Sequence, residues 1–376
     1  MKPFWPGVIE FYKELLPVSE KTPIITLYEG NTPLVKAGNI EYKLKKEYGV
    51  ELNIYLKYEG DNPTGSFKDR GMTVAISKAK ENNAKAVICA STGNTSASAA
   101  AYSAKANIRC IVLIPKGAIA LGKLSQAVMH GAEVFAVESL FDEALKLAKE
   151  ISQNYPITLV NSLNPHRIEG QKTGAFEIIM QLQKVPEYQF MPVGNAGNIT
   201  AYWKGYKEYY ELRKKNYKFK NKNLNIDCEN KLPIMMGFQA AGSAPIVKGK
   251  PIKNPKTIAT AIRIGNPASW KYAEQARDES GGIIDTVTDK EILNAYYLLS
   301  SLEGVFVEPA SAASLAGLIK YVKNGYFDNK KNVDIVCILT GHGLKDPNCA
   351  IKTAEKKVKI KTIRPKLDSL LKELKL

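Results

Sequence analysis

Short apolar, β-branched runs alternate with amphipathic stretches along most of this chain. Ile54–Tyr58, Ala86–Ala90, Cys110–Pro115, Glu133–Val137 and Thr158–Val160 read as strands. Between them, Phe67–Asn82, Thr95–Ala106, Leu121–His130 and Phe141–Asn154 have helical spacing. The second half repeats the style, with Phe190–Val193, Met235–Gln239, Ile283–Thr286 and Asp334–Thr340 as strands. Strands covered on both faces are nearly continuous in hydrophobicity, and Ala86–Cys89 and Val333–Leu339 fit that description. Alternation of this kind predicts α/β layers built on mostly parallel sheets. The Lys/Asn-rich stretch 212–231 predicts a surface loop, and Leu367–Leu376 a short amphipathic helix.

Composition narrows the class. A chain of 376 residues suits two to three domains at roughly 150 residues each. Hydrophobic content of 45% with 24% charged residues is that of a globular protein with a sizeable core. No apolar run reaches the roughly 18–20 residues of a membrane span. Met1–Pro17 carries Glu10 and Glu14 inside its apolar stretch and so does not read as a signal peptide. The five cysteines, Cys89, Cys110, Cys228, Cys337 and Cys349, are scattered and follow no C-x-x-C pattern; they read as thiols of a reducing, cytoplasmic compartment. His130, His166 and His342 lie far apart, so no structural metal site is expected. The formal charge of +16 invites a nucleic-acid reading, but the lysines are spread along the chain and no basic recognition motif occurs. A positive field of this kind suits collection of an anionic small substrate.

The candidate chemistry lies in loops. Asn62-Pro63-Thr64-Gly65-Ser66-Phe67-Lys68-Asp69-Arg70-Gly71 places a lysine just past a Pro/Gly turn, at the start of a helical run. A helix N-terminus disfavours a second positive charge, and a lysine that loses its proton easily can form a Schiff base. Ser91-Thr92-Gly93-Asn94-Thr95, Gly194-Asn195-Ala196-Gly197-Asn198 and Thr340-Gly341-His342-Gly343-Leu344 each follow a predicted strand. In open α/β sheets, ligands bind at the carboxyl ends of strands. Gly194–Asn198 has the form of a cradle for one phosphate and lacks the glycine spacing of a dinucleotide site. Gly117–Lys123 fits the spacing of a nucleotide-binding loop, but Leu124 stands where a metal-binding hydroxyl is needed. A reactive lysine, a single-phosphate cradle and glycine-rich loops in an α/β frame point to pyridoxal 5'-phosphate.

With these loops in place, the chain resembles the tryptophan-synthase-β-like family of pyridoxal-phosphate enzymes (fold type II). The likeness runs from Glu29-Gly30-Asn31-Thr32-Pro33-Leu34 to Leu339–Pro347. It rests on Asn62–Gly71, Ser91–Ser96, Asn161–Thr173, Gly194–Thr200, Arg263–Trp270, Glu308–Ser311 and Thr340–Pro347, with no departure at a matching position. The resemblance implies two open, twisted, mostly parallel-sheet domains with the cofactor in the cleft between them. Residues 1–60 and 155–376 would form the larger, and 61–154 a smaller inserted domain carrying the Schiff-base lysine. It implies Lys68 as covalent anchor and catalytic base. Asn94 would bond the cofactor's ring oxygen, Gly194, Asn195, Ala196, Gly197 and Asn198 its phosphate, and Thr340 would face its pyridine nitrogen.

The likeness is strongest to members that convert O-phosphohomoserine and water to threonine and phosphate. Ser91, Thr95, Asn161, Ser162 and Arg167 would then hold the substrate, with Arg167 as a planar fork for its phosphate. His166 reads as a local hydrogen-bonding residue, Glu308 as a cap of the following helix, and Tyr202, Trp203 and Tyr206 as packing. A homodimer and the shorter form of the enzyme, without the N-terminal extension that carries S-adenosylmethionine control, are further implications. The alternative within the fold is a threonine/serine dehydratase or a β-replacement enzyme, which needs no site for a substrate phosphate. The alternative outside it is a basic nucleic-acid-binding protein.

Overall fold

The computed structural model describes residues 5–116, 121–138, 141–355 and 362–374. The N-terminal segment carries the short helix α1 (Val8–Phe11), then β1 (Leu34–Lys36), α2 (Gly38–Tyr48) and β2 (Glu51–Tyr58). Next come α3 (Lys68–Glu81), β3 (Ala86–Ala90), α4 (Asn94–Ala106), β4 (Arg109–Pro115), α5 (Leu121–Met129), β5 (Glu133–Val137), α6 (Phe141–Asn154) and β6 (Ile157–Leu159). The chain continues through α7 (Pro165–Leu182), β7 (Tyr188–Pro192), α8 (Gly197–Lys214), β8 (Ile234–Ala240), α9 (Pro245–Lys248), α10 (Trp270–Glu279) and β9 (Ile283–Val287). It ends with α11 (Asp289–Glu303), α12 (Ala313–Lys323), β10 (Lys331–Leu339), α13 (Pro347–Glu355) and α14 (Leu367–Leu374).

The strands form two sheets. One has the order β1-β2-β10-β7-β8-β9, the other β5-β4-β3-β6. All pairs are parallel except β1 with β2. The parallel α/β frame read from the alternation is therefore present. Every residue of β3 and of β7 is buried, because helices cover both faces. Three residues long and half-buried, β1 gives no apolar run to read. The smaller sheet also extends past residue 154, where the inserted domain was expected to end. Ile157–Leu159 pairs with β3, as the Thr158–Val160 run alone suggests once its partner is known. The predicted nucleotide-loop decoy falls partly on residues 117–120, outside the described residues.

α3 and α7 cross at glycines. A Cβ on Gly170 would stand 2.0 Å from the Arg70 carbonyl oxygen, and one on Gly71 2.6 Å from that of Arg167. This close approach brings the residue that opens α3, Lys68, near the first turn of α7, which holds Arg167. The same seam buries an ion cluster. Lys57 Nζ lies 2.6 Å from Glu177, and Arg70 lies 2.7 Å from both Glu59 and Glu177. All four side chains are almost completely buried, so each charge depends on the others for its solvation.

Candidate active site

The loops converge at the carboxyl ends of the parallel strands. The turn after β2 is stitched to the end of β10: Phe67 N–H donates to the Thr340 carbonyl at 3.1 Å, and His342 N–H to that of Gly65 at 2.9 Å. Gly65 has φ +82°, a left-handed conformation that makes glycine the natural residue of this turn. Lys68 follows as the first residue of α3. Its ammonium lies 4.3 Å from the centre of the Phe67 ring. Burial, and then the Arg167 charge, push its pKa down to about 7, with Glu308 opposing weakly. A lysine so placed is partly neutral at physiological pH and can act as nucleophile and base.

Arg167 is fully buried in the first turn of α7. Asn164 caps that helix by accepting from His166 N–H at 2.9 Å, and Pro165 fits its first position. One arm of the guanidinium donates to the Val160 carbonyl at 2.9 Å. Its Nε and Nη2 are buried without a protein partner. Burial lowers its pKa to about 10, still far above neutrality, so the charge remains. A buried cation with two unused donors is a ready site for a dianion.

The remaining expected substrate residues divide. Ser162 Oγ accepts from Asn195 Nδ2, which ties the anion site to the phosphate cradle. Asn161 instead clamps β3: its side chain donates to the Ala90 carbonyl and accepts from the Ala90 N–H, both at 2.9 Å. It fixes the strand end that launches the Ser91 loop and keeps one amide N–H in reserve. Ser91 Oγ accepts from Gly93 N–H at 3.2 Å and shapes that loop. Thr95 is half-buried in the first turn of α4, beside Asn94.

The cradle fits a phosphate. Ala196 takes φ +65°, and α8 opens at Gly197 with no side-chain cap, leaving its N-terminal dipole for a ligand. Asn198 is 8% exposed, and both its Oδ1 and Nδ2 lack a partner. Gly194 packs so that a Cβ would stand 2.9 Å from Ile262 Cα. The Asn195 side chain accepts from Ala268 N–H at 2.7 Å and holds the loop in place. Ser66 Oγ, two residues before Lys68, is also buried and unpaired. Orphaned polar atoms on this scale mark a place built for a polar ligand.

Glu308 is the residue that sequence reasoning misplaced as a helix cap. It is buried at the centre of the site. Asn94 Nδ2 donates to its two oxygens at 3.1 and 3.0 Å, and Thr340 Oγ1 to one of them at 3.2 Å. Ser311 Oγ lies 3.0 Å from Thr340 Oγ1 and accepts from Gly341 N–H at 2.9 Å. Burial raises the Glu308 pKa, against the pull of Asn94, Lys345, Thr340 and Lys68. The signal available in the sequence was a carboxylate in a short segment with an apolar flank, a place where an unpaired charge is costly.

The expected packing residues pack. Tyr202, Trp203 and Tyr206 are buried, with Trp203 Nε1 donating to Glu279 and Tyr206 Oη to Gln189, both at 2.7 Å. His166 is half-buried, and burial lowers its pKa. Among the described residues no group of three or more His, Cys, Asp or Glu could hold a metal ion.

Comparison with known proteins agrees with this geometry. Residues 25–341 match the family model described as pyridoxal-phosphate dependent enzyme. Threonine synthase of Halalkalibacterium halodurans is 58% identical over 351 residues, 93% of each chain. Threonine synthase of Synechocystis is 54% identical over 370 residues, 98% of this chain and 91% of that protein. The processed form of threonine deaminase isoform 2 from Solanum lycopersicum has the same fold, with a TM-score of 0.69 at 22% identity over 93% of this chain and 88% of that one.

Proposed function

The chain belongs to the pyridoxal-phosphate dependent enzyme family, and from that membership we propose that its cleft carries out the threonine synthase reaction. O-phosphohomoserine loses phosphate and gains water, giving L-threonine. The protein is a lyase that depends on pyridoxal 5'-phosphate. Lys68 would bond the cofactor's aldehyde carbon. Gly194, Asn195, Ala196, Gly197 and Asn198 would hold its phosphate, with Asn94 at its ring oxygen and Thr340 at its ring nitrogen. When bound, the cofactor supplies an electron sink for charge that develops at the substrate's Cα.

The chain's own residues do the rest. Lys68, with a pKa near 7, takes the proton from Cα and later returns one there. Arg167 orients the γ-phosphate and stabilises the charge it carries away. Glu308 keeps Asn94 and Thr340 aimed into the site. A homodimer in the cytoplasm is part of this reading, checked by the mass of the purified protein in solution. No described helix is long and apolar enough to cross a membrane.

Arg167 carries the substrate assignment, because a dehydratase needs no buried cation with two free donors. Losing a charge-assisted hydrogen bond costs about 1.5–3 kcal/mol, or about one to two powers of ten. Arg167→Ala should therefore cut kcat/KM for O-phosphohomoserine by that order, with cofactor absorbance intact and slow reactions on serine far less affected. Equal losses on phosphorylated and unphosphorylated substrates would make Arg167 structural and remove this support.

A further inference from the structure

Lys345 bears on the site above only through its charge, which favours the ionised form of Glu308, yet it also spans the site. It ends the short 3-10 turn Gly343–Lys345, just past β10. Its stem lies over the turn that leads to Lys68: a Cβ on Gly65 would stand 3.1 Å from Lys345 Cε. Its ammonium donates to Gln126 Oε1 on α5. This contact joins residues 219 positions apart, one on the loop leaving the larger sheet and one on a helix of the smaller layer.

The two ends differ in kind. Burial lowers the pKa of the ammonium, while the carboxylates of Asp69 on α3 and of Glu308 oppose that through space and favour its charge. Asp69 is itself fixed, accepting from Thr64 N–H at 2.7 Å and from Thr64 and Ser98 hydroxyls at 2.6 Å. On the α5 side, the acceptor is a neutral amide on a half-exposed residue.

What α5 moves is specific. Its Leu124 and Ala127 share one core with Ala99 and Ala100 of α4 and Met72 and Ala75 of α3. The loop that opens α4 is Ser91–Thr95, and α4 begins at Asn94. A shift of α5 is thus passed by packed side chains to the loop facing Lys68.

We propose that Lys345 is a positioning residue whose bridge to Gln126 latches the α4–α5 layer against the Lys68 turn and sets how tightly the cleft holds substrate. The proton transfers at Lys68 do not depend on the latch; the affinity of the closed cleft does. The proposal rests on the threonine synthase reading, so phosphate release from O-phosphohomoserine by the parent holoenzyme is measured first. No release sinks that reading itself.

With an active parent, Lys345→Met, Gln126→Leu and the double variant form a cycle, and Gln126→Glu tests the opposite direction. Each single change should raise KM about tenfold, as expected for loss of one hydrogen bond to a charged group. Values of kcat should stay within about twofold, and the double variant should be no worse than either single one. Gln126→Glu, which makes the latch an ion pair, should leave KM at or below the parent value. Additive losses in the double variant, unchanged KM, or a fall in kcat alone would overturn the latch. Should Lys345→Met fail to fold, the opposed shifts of Gln126→Leu and Gln126→Glu still decide, since a merely structural residue would not give opposite signs.

Discussion

A lysine in water keeps its proton to about pH 10.4. Lys68 does not, because burial and the Arg167 charge penalise the ammonium and bring its pKa to about 7. A consequence can be measured on cofactor-free protein. Lys68 should react with pyridoxal 5'-phosphate at a rate that rises through about pH 7 and levels off above it, while surface lysines go on gaining reactivity to about pH 10. Arg167→Met removes the second cause and should move the midpoint upward. A midpoint near pH 10 in the parent would mean that the amine is solvated and the site is not formed. Around this residue the site was legible in part. Asn94, Thr340 and the 194–198 loop each follow a strand end closely, where sequence pattern is most readable, and Asn94 and Thr340 meet at Glu308. Glu308 was not legible in its role. Its bonds to Asn94 and Thr340 cross 214 and 32 positions, and no local spacing encodes a contact of that range. The tie between Asn161 and Ala90 was hidden for the same reason: it crosses 71 positions.

At the scale of elements, the strands read best where burial on both faces left no ambiguity. β3 spans Ala86–Ala90 as predicted, and β10 starts earlier, at the exposed Lys331 and Asn332, and ends one residue sooner, at Leu339. β1 was missed because a three-residue strand takes its identity from a partner, and β6 was read as a strand within one residue but without its place beside β3. The crossing of α3 and α7 was also hidden. Nothing in the spacing of Gly71 and Gly170 says that they meet, yet this contact sets the distance between the Lys68 helix and the Arg167 helix. Gly170→Ala should be a strong test. Its Cβ would fall 2.0 Å from the Arg70 carbonyl, which belongs to backbone and cannot rotate away. Overpacking of this sort costs about 1–3 kcal/mol or more. The helices must part, so kcat/KM for O-phosphohomoserine should fall along with the melting temperature. Gly38→Ala is the control, since nothing lies within 4 Å of that Cβ and α2 is helical there. If both variants melt and turn over alike, the helices are not in close contact.

Across the whole molecule, the buried ions join parts that are distant in sequence. Lys57 belongs to the six-stranded sheet, Arg70 to the helix that opens at Lys68, and Glu177 to the helix that carries Arg167. Thr32 adds the N-terminal segment, donating its N–H to Glu177 at 2.9 Å. The cluster thereby ties β2, α3, α7 and the N-terminal segment to one another. Its carboxylate at Glu177 lies well below the usual range: burial alone would raise its pKa, but Arg70 and Lys57 outweigh that. The sign follows from linkage. A carboxyl group with a depressed folded-state pKa adds stability that is complete above its unfolded value of about 4.3, and that stability is lost as pH falls toward the folded value. Glu177→Gln leaves two buried cations with one carboxylate fewer, which should cost about 3–5 kcal/mol. For a chain of this length that is about 4–6 °C in apparent melting temperature, scaled from the entropy of unfolding per residue. The gap between parent and variant should be full from about pH 5 upward and shrink as the medium is made more acidic, because below that point only the parent is losing this term. Melting curves from about pH 3 to 7 check it. A gap that stays constant across the range would mean that Glu177 titrates alike in the folded and unfolded chain, and a gap that widens toward acid would mean that it is neutral in the fold; either result removes the electrostatic part of the cluster.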